Sequence, residues 1–283
     1  MKKNRISIFA VGILFLTGLI SCAGKNEKSA ASLVTDSLHI SKSVHLDNDT
    51  AKPYADFKAN LVYVKQAAKP YIKDSINKAI AAATFGDEYQ TIPFEQAVDS
   101  FKNSYFTQFN DEVGPTYKQD FQENPTQTKL RWYNYTKVMK SNFIFNENDV
   151  LSYRVNIIDN TGGAHGMHES YFLNFNALTG KVIHLDDIFT GDYEPALTQQ
   201  LLAELEHMMK VKTQKDLEDL GFFASDSLAP TENFYVTEKE ICFYYNIYEI
   251  APYAVGSLNV KIPFDAVREM LNTNHNPLAE ILE

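Results

Sequence analysis

The segment with the clearest chemical potential runs from Asp159 to Glu169 and reads Asp-Asn-Thr-Gly-Gly-Ala-His-Gly-Met-His-Glu. Imidazole and carboxylate groups are ligands for zinc and can act as general bases. One interpretation is a metal site in which His165 and His168 bind the ion, with Glu169 or Asp159 as third ligand or base. Such a site would support hydrolysis by a metal-activated water.

A simpler interpretation of the same segment is a tight connection between two strands. Its glycines adopt positive φ at no steric cost, and the His165 ring would fix the turn by bonding to the backbone. The histidines lack the helical i, i+4 spacing of well-known zinc motifs, and in a strand Glu169 would point away from His168. We predict no catalytic residue, no metal ligand and no cofactor, so we expect a non-enzymatic protein. The loop of possible function comprises Gly162, Gly163, His165, Gly166 and His168.

The second candidate site is aromatic. Residues 244–256 read Tyr-Tyr-Asn-Ile-Tyr-Glu-Ile-Ala-Pro-Tyr-Ala-Val-Gly, which indicates a strand followed by a short loop. Exposed tyrosines offer a large apolar ring and a hydroxyl, and they are enriched at binding surfaces, whereas buried tyrosines would belong to the core. A desolvated Glu249 could act as an acid, but the sequence places no second carboxylate beside it. We predict a partner-binding loop formed by Tyr248, Glu249, Pro252 and Tyr253.

The N-terminus has the pattern of an export signal. Residues 1–5 carry three cations and precede an apolar run over 6–20. The run ends in Leu19-Ile20-Ser21-Cys22, which resembles a bacterial lipobox and implies that Cys22 is lipidated after removal of residues 1–21. We predict a protein of the cell envelope, outside the cytoplasm, that reaches the membrane through its lipid only. It would lie at the outer membrane or on the periplasmic side. An uncleaved membrane anchor is the alternative.

Composition narrows the class of protein further. The 283 residues have a formal net charge of −10, and loss of residues 1–21, with three cations and no acid, would make it −13. This charge argues against nucleic acid as a partner and favours a cationic one. Two cysteines cannot build a disulfide scaffold or a four-cysteine zinc site. Cys242 lies in an apolar, strand-like run and is predicted to be a small buried hydrophobe.

Residue patterns predict an α+β fold with mainly antiparallel sheets packed against several helices. Residues 22–52 are polar and lack a sustained period, which favours a flexible tether. Alternating apolar residues predict strands, for example over 150–158, and helical spacing begins after Pro70 and after Pro93. We therefore expect an N-terminal α+β domain over 53–128 and a C-terminal one over 129–283.

Several segments together carry a family resemblance. They are Gly162-Gly-Ala-His-Gly166, Phe175-Asn-Ala-Leu-Thr-Gly-Lys181, Leu185-Asp-Asp-Ile-Phe189 and Tyr248-Glu-Ile-Ala-Pro-Tyr-Ala-Val-Gly256. They resemble the extracytoplasmic domain shared by lysozyme-sensing anti-sigma factors of the RsiV type and by the non-catalytic part of PdaC-type peptidoglycan deacetylases. The region from Ala55, with Ile76-Asn-Lys-Ala-Ile80, is similar to the domain that precedes it, so the resemblance is to the DUF4163 and DUF3298 pair.

The resemblance implies a binding module. In the anti-sigma factors this region binds lysozyme partly through a loop with proline and tyrosine, which corresponds to Pro252 and Tyr253 here. Only five residues precede the apolar run and no deacetylase catalytic domain is recognisable, so we expect neither sigma-factor control nor deacetylation. We predict a lipid-anchored envelope module whose partner is a basic protein such as lysozyme, or peptidoglycan. The alternatives are a metal-dependent envelope hydrolase using the glycine-rich loop, and a purely structural component.

Overall fold

The computed structural model of the chain describes residues 33–125, 129–162, 166–223 and 228–282. The fold is α+β, as predicted, with a five-stranded and a three-stranded sheet. None of the helices in the described ranges is long and apolar enough to span a membrane. Cys22 and the predicted signal over 1–21 lie outside the described residues.

The large sheet has the strand order β1-β2-β3-β4-β5. Every neighbouring pair is antiparallel except β2 and β3, which are parallel. A parallel pair requires a long crossover, and two helices provide it between these strands. The strands are β1 Val34–His45, β2 Tyr54–Gln66, β3 Tyr135–Glu147, β4 Val150–Asn160 and β5 Met167–Asn176.

One face of the large sheet is covered by α1 (Pro70–Phe85) and α2 (Phe94–Glu123). The alternating apolar residues of β2 and β4 point to this face and are buried, as the sequence pattern predicts. Aromatic residues of α2 lie against them, and the Phe57 ring contacts those of Phe101, Tyr105 and Phe106. These rings are therefore part of the core.

The small sheet, of order β6-β7-β8, belongs to a second hydrophobic core. Helix α4 buries Leu197, Leu201 and Leu205 in this core. The strands are β6 Phe234–Val236, β7 Glu240–Tyr245 and β8 Leu258–Pro263; the helices are α3 Leu185–Ile188, α4 Glu194–Met209, α5 Gln214–Asp219, α6 Phe264–Val267 and α7 Ala279–Leu282.

The predicted tether over 22–52 is wrong for residues 34–45, which form β1. This strand pairs with β2 along its whole length, from Val34 opposite Gln66 to His45 opposite Tyr54. Its residues are mostly polar because it is an edge strand and only Leu38, Ile40 and Val44 pack against the core. Backbone pairing therefore orders a segment whose composition is typical of a linker.

The expected division between residues 128 and 129 does not match the structure. Strands β2 and β3, which lie on either side of it, are paired from Ala55 opposite Tyr135 to Asn60 opposite Lys140. The first core includes residues as far along the chain as Ala177, and nearly all of the second core comes after it. The chain passes from the first core to the second after the turn at 176–180, where Gly180 has a positive φ of 72°.

Candidate functional site

The candidate binding loop connects β7 to β8 and is fastened to the edge of the large sheet. Asn246, the first loop residue, is buried and bonds to Ser170 of β5 in both directions. Its Oδ1 accepts from the Ser170 backbone N–H at 2.7 Å, and its Nδ2 donates to the Ser170 carbonyl at 3.2 Å. An amide side chain thus replaces the missing strand partner of β5.

A second asparagine performs the same task one strand away. Asn233 Oδ1 accepts from the Phe172 N–H at 2.8 Å, and Asn233 Nδ2 donates to the carbonyls of Ser170 (2.9 Å) and Tyr244 (3.0 Å). The backbone hydrogen-bonding groups at the edge of β5 are therefore paired with two side chains rather than with the backbone of another strand. Sequence patterns gave no sign of either role, because both asparagines lie more than 60 residues from their partners.

Glu249 shapes the loop from within. Its carboxylate accepts from the Asn246 backbone N–H at 2.9 Å and from Asn246 Nδ2 at 3.2 Å. Between these residues Tyr248 has a φ of 73°, which non-glycine residues adopt at a cost on the order of 1 kcal/mol. Glu249 is exposed, and its carboxylate oxygens are engaged within the loop. It is a positioning residue as well as a surface charge.

Tyr248 and Tyr253 form an exposed aromatic pair at the tip of the loop. Their ring centroids lie 5.5 Å apart at an angle of 40°, and the residues are 62% and 37% exposed. Pro252 is exposed beside them and lies so close to Gly221 that a Cβ there would be 2.8 Å from the proline Cγ. The structure thus brings together all four residues of the predicted partner-binding set.

The loop is braced on its other side as well. The Phe223 N–H donates to the Ile250 carbonyl at 3.0 Å, and the Tyr244 hydroxyl donates to Ser257 Oγ at 2.8 Å. Together with the Asn246 bonds, these contacts hold both ends and the middle of the loop. The tyrosine pair is therefore presented by a fixed backbone.

Two carboxylates give this region a negative potential. Burial, Glu169 and Glu249 together raise the pKa of Tyr171 to about 12. Glu169 and Tyr171 lie on the same face of β5, two residues apart. Glu169, considered in the sequence only as a metal ligand or a base, is thus part of the acidic surroundings of the binding loop.

The described part of the glycine-rich segment fits a tight strand connection. Gly162 has a φ of 91°, and a Cβ there would lie 2.1 Å from the Trp132 carbonyl oxygen, so no other residue fits. His168 is exposed on β5 and alternates with Glu169, so the two side chains point to opposite faces. Gly166 follows the gap, and Gly163 and His165 lie outside the described residues.

Asp159 is paired rather than available as a ligand. Its Oδ2 lies 2.6 Å from Lys137 Nζ, and the two side chains are 28% and 14% exposed. The same ammonium group lies over the rings of Phe101 and Tyr105 at 5.4 and 5.7 Å. In the described ranges no three His, Cys, Asp or Glu side chains come together to hold a metal ion. Cys242 is buried, as predicted, and burial raises the pKa of its thiol to about 11.

Comparison with solved structures places this architecture in a family. A DUF3298 family member from Bacteroides fragilis NCTC 9343 is 36% identical, with a TM-score of 0.82, over 90% of this chain and 99% of its own. The chain belongs to the DUF3298 family. A DUF3298 family protein from Pseudomonas aeruginosa PAO1 is 17% identical over 88% of this chain and 98% of its own, with a TM-score of 0.58, and shares the fold.

Family models cover the two halves of this DUF3298 protein. The model described as a protein of unknown function (DUF3298) matches residues 186–265, which contain the binding loop. The model described as deacetylase PdaC matches residues 48–168 and so extends past the expected boundary at 128. No curated protein matches the chain.

Proposed function

We propose that this protein is a lipid-anchored binding module of the cell envelope that captures a basic protein of the lysozyme class. The observation that carries the proposal is the exposed Tyr248–Tyr253 pair on a fixed backbone beside Glu249 and Glu169. Tyrosine supplies large contact area with few rotatable bonds, so little conformational entropy is lost on binding. Binding rather than chemistry is the task for which these residues are arranged.

Pre-organisation favours this use of the loop. A binding surface that is already ordered avoids the entropic cost of ordering side chains and backbone at the moment of association. The Asn246–Ser170 bonds and the Glu249 contacts provide that order before any partner arrives. Buried tyrosines at the centre of an interface contribute about 2 kcal/mol or more each.

Charge favours a cationic partner. The net charge of −10 becomes −13 after signal cleavage, and the loop itself carries Glu249, with Glu169 of β5 near it. Opposite charges accelerate association, and salt screens the effect over about 8–10 Å. Peptidoglycan remains the alternative partner, since exposed tyrosine rings also stack on sugars. The hydrolase alternative has no support among the described residues, because Asp159 is paired and His168 and Glu169 diverge.

The partner class is tested by titrating the protein with basic lysozyme, with succinylated lysozyme whose lysines have become acidic, and with soluble peptidoglycan fragments. We expect saturable binding to basic lysozyme that weakens as salt is raised, and weak or no binding to the succinylated form. Binding to the fragments but not to lysozyme would show that the partner is glycan. Binding to none of the three would refute the proposal.

The anchor is tested separately. Cys22 would carry the lipid, so Cys22→Ser should abolish incorporation of radiolabelled fatty acid and release the protein from the membrane fraction. Cys242→Ser is the matched control, because this thiol is buried and should not be acylated. Unchanged labelling of the Cys22→Ser variant would contradict the anchor while leaving the binding loop untouched.

A further inference from the structure

The large sheet has a second face that the helices do not cover. Side chains alternate along a strand, so the residues of β2 and β3 that lie between the buried ones point to this face. On β1, β2 and β3 it remains uncovered, and we call this part the open face. Its residues include Ser37, His39, Ser41, Lys58, Asn60, Val138 and Lys140.

Three cations form a line that begins on the open face and ends at its border, on β4. Lys140 of β3 lies opposite Asn60, which is two residues along β2 from Lys58. Arg154 of β4 lies opposite Asn142, which is two residues along β3 from Lys140. Lys58, Lys140 and Arg154 are therefore diagonal neighbours on three adjacent strands, with steps of about 7–8 Å. We call this row the cationic diagonal.

None of these cations forms an ion pair among the described residues, although Asp56 lies on the same face, two residues from Lys58. Lys58 and Lys140 are exposed and take part in no ion pair there, although the chain is acidic overall. Arg154 Nη2 donates to Asn142 Oδ1 at 3.3 Å, but its Nε is buried without a hydrogen-bond partner in the described ranges. Two exposed ammonium groups without an ion pair, in line with a guanidinium group that bonds to an amide oxygen, are complementary to an anion.

The surface is concave around the first two cations. A depression of about 410 Å³ lies between β1, β2 and β3, and its lining includes His39, Lys58, Asn60 and Lys140 but no acidic residue. Arg154 lies at its far side, where the small sheet begins, because its cross-strand partner Phe172 stacks on Tyr235 at 4.8 Å. An extended chain could lie along this depression.

We propose that the cationic diagonal binds a linear polysaccharide with regularly repeated negative charges. A single small anion would reach one of these cations, or two at most, whereas a chain with repeated carboxylates or sulfates meets all three. Salt screens charges that lie more than about 8–10 Å away, so the cations at the site outweigh the distant carboxylates of the protein. A polyanion can therefore bind here although the protein is acidic. This site is independent of the tyrosine loop and its proposed partner.

The test uses alginate oligosaccharides, a linear polyuronate, with neutral dextran as the uncharged control. We expect saturable, salt-sensitive binding of alginate and none of dextran. The Lys58→Gln/Lys140→Gln variant should bind alginate about tenfold more weakly, since it removes two of the three charges of the cationic diagonal. Lys181→Gln/Lys261→Gln has the same change in net charge at exposed positions elsewhere and should bind like the wild type.

Several results would overturn the proposal. The first is that alginate does not bind. The second is that the Lys58/Lys140 variant binds alginate as tightly as the wild type. The third is that the Lys181/Lys261 variant loses as much affinity for alginate as the Lys58/Lys140 variant. Binding of phosphatidylglycerol vesicles through Lys58 and Lys140 without alginate binding would assign the face to a membrane instead. All four substituted lysines are on the surface, and unchanged thermal unfolding verifies that each variant is folded.

Discussion

Asn246 and Ser170 form a two-way amide–backbone contact that joins the binding loop to the edge strand of the large sheet. The Ser170 N–H donates to Asn246 Oδ1 at 2.7 Å, and Asn246 Nδ2 donates to the Ser170 carbonyl at 3.2 Å. The same amide nitrogen also bonds to Glu249. One buried side chain therefore couples the order of the loop to the order of the sheet.

Asn246→Ala should lower the free energy of unfolding by about 1–3 kcal/mol, because it leaves the Ser170 backbone N–H without an acceptor, whereas the Ser170 carbonyl keeps its bond from Asn233. Chemical denaturation measures the change. Asn103→Ala, at an exposed position of α2, is the control and should stay within about 0.5 kcal/mol of the wild type. Equal effects of the two substitutions would show that the amide does not hold the loop.

Short-range patterns predicted much of the fold. The alternation of Phe57, Ala59, Leu61 and Tyr63 and the helical spacing after Pro70 reflect burial on one face, which local sequence encodes. The strand at 34–45 was missed because its order comes from pairing with β2, and pairing is possible for almost any side chain.

The candidate site was predicted in part, because the part that was found is encoded by residues close together in the sequence. Tyr248, Glu249, Pro252 and Tyr253 are neighbours in sequence, so their proximity follows from a short loop. Their supports come from distant segments: Ser170 lies 76 residues from Asn246. The Lys137–Asp159 pair likewise depends on the register of β3 and β4, which a single sequence does not specify.

A chain that begins at residue 50 should be less stable than one that begins at residue 33. The shorter chain lacks β1, so it loses the partial burial of Leu38, Ile40 and Val44, on the order of 3 kcal/mol, and exposes the edge of β2. Thermal unfolding and light scattering compare the two chains. Equal stability would mean that residues 34–45 act as a tether after all.

Gly162→Ala should destabilise the protein far more than Gly114→Ala. At 162 the positive φ and the nearby Trp132 carbonyl make a methyl group unfavourable by at least about 2 kcal/mol. At 114, within α2, no atom outside the chain neighbours and the local helix backbone lies within 4 Å of the added Cβ. Pro115 follows, and its ring crowds a Cβ on the preceding helical residue, so the gain in helix propensity is offset and the change should stay within about 1 kcal/mol. Urea unfolding of both variants provides the comparison. A neutral effect at 162 would contradict the tight connection.

Stability should fall between about pH 10 and pH 12, in part through Tyr171. Its pKa in the folded protein is about 12, above the value of about 10 expected in the unfolded chain. The folded state thus holds this proton more tightly, and its stabilising contribution is complete below pH 10 and lost as the pH rises. Tyr133 and Tyr135, whose pKa values are about 12, act in the same direction.

Tyr171→Phe should reduce this alkaline loss, because phenylalanine has no proton to release. Urea unfolding at about pH 9 and about pH 11 gives the difference, with Tyr71→Phe at an exposed position as the control. If Tyr171→Phe and wild type lost the same stability, the hydroxyl would not lie beside Glu169 and Glu249 as described.

The most direct test of the tyrosine loop as a binding site is a calorimetric titration of residues 33–283 with basic lysozyme. The comparison includes Tyr253→Ala, Tyr248→Ala and the control Tyr71→Ala, which removes an exposed tyrosine on α1. The account predicts saturable binding that weakens at least tenfold in each loop variant, equivalent to about 1.4 kcal/mol, and is unchanged in the control. Binding that is equally tight in all four proteins would contradict it.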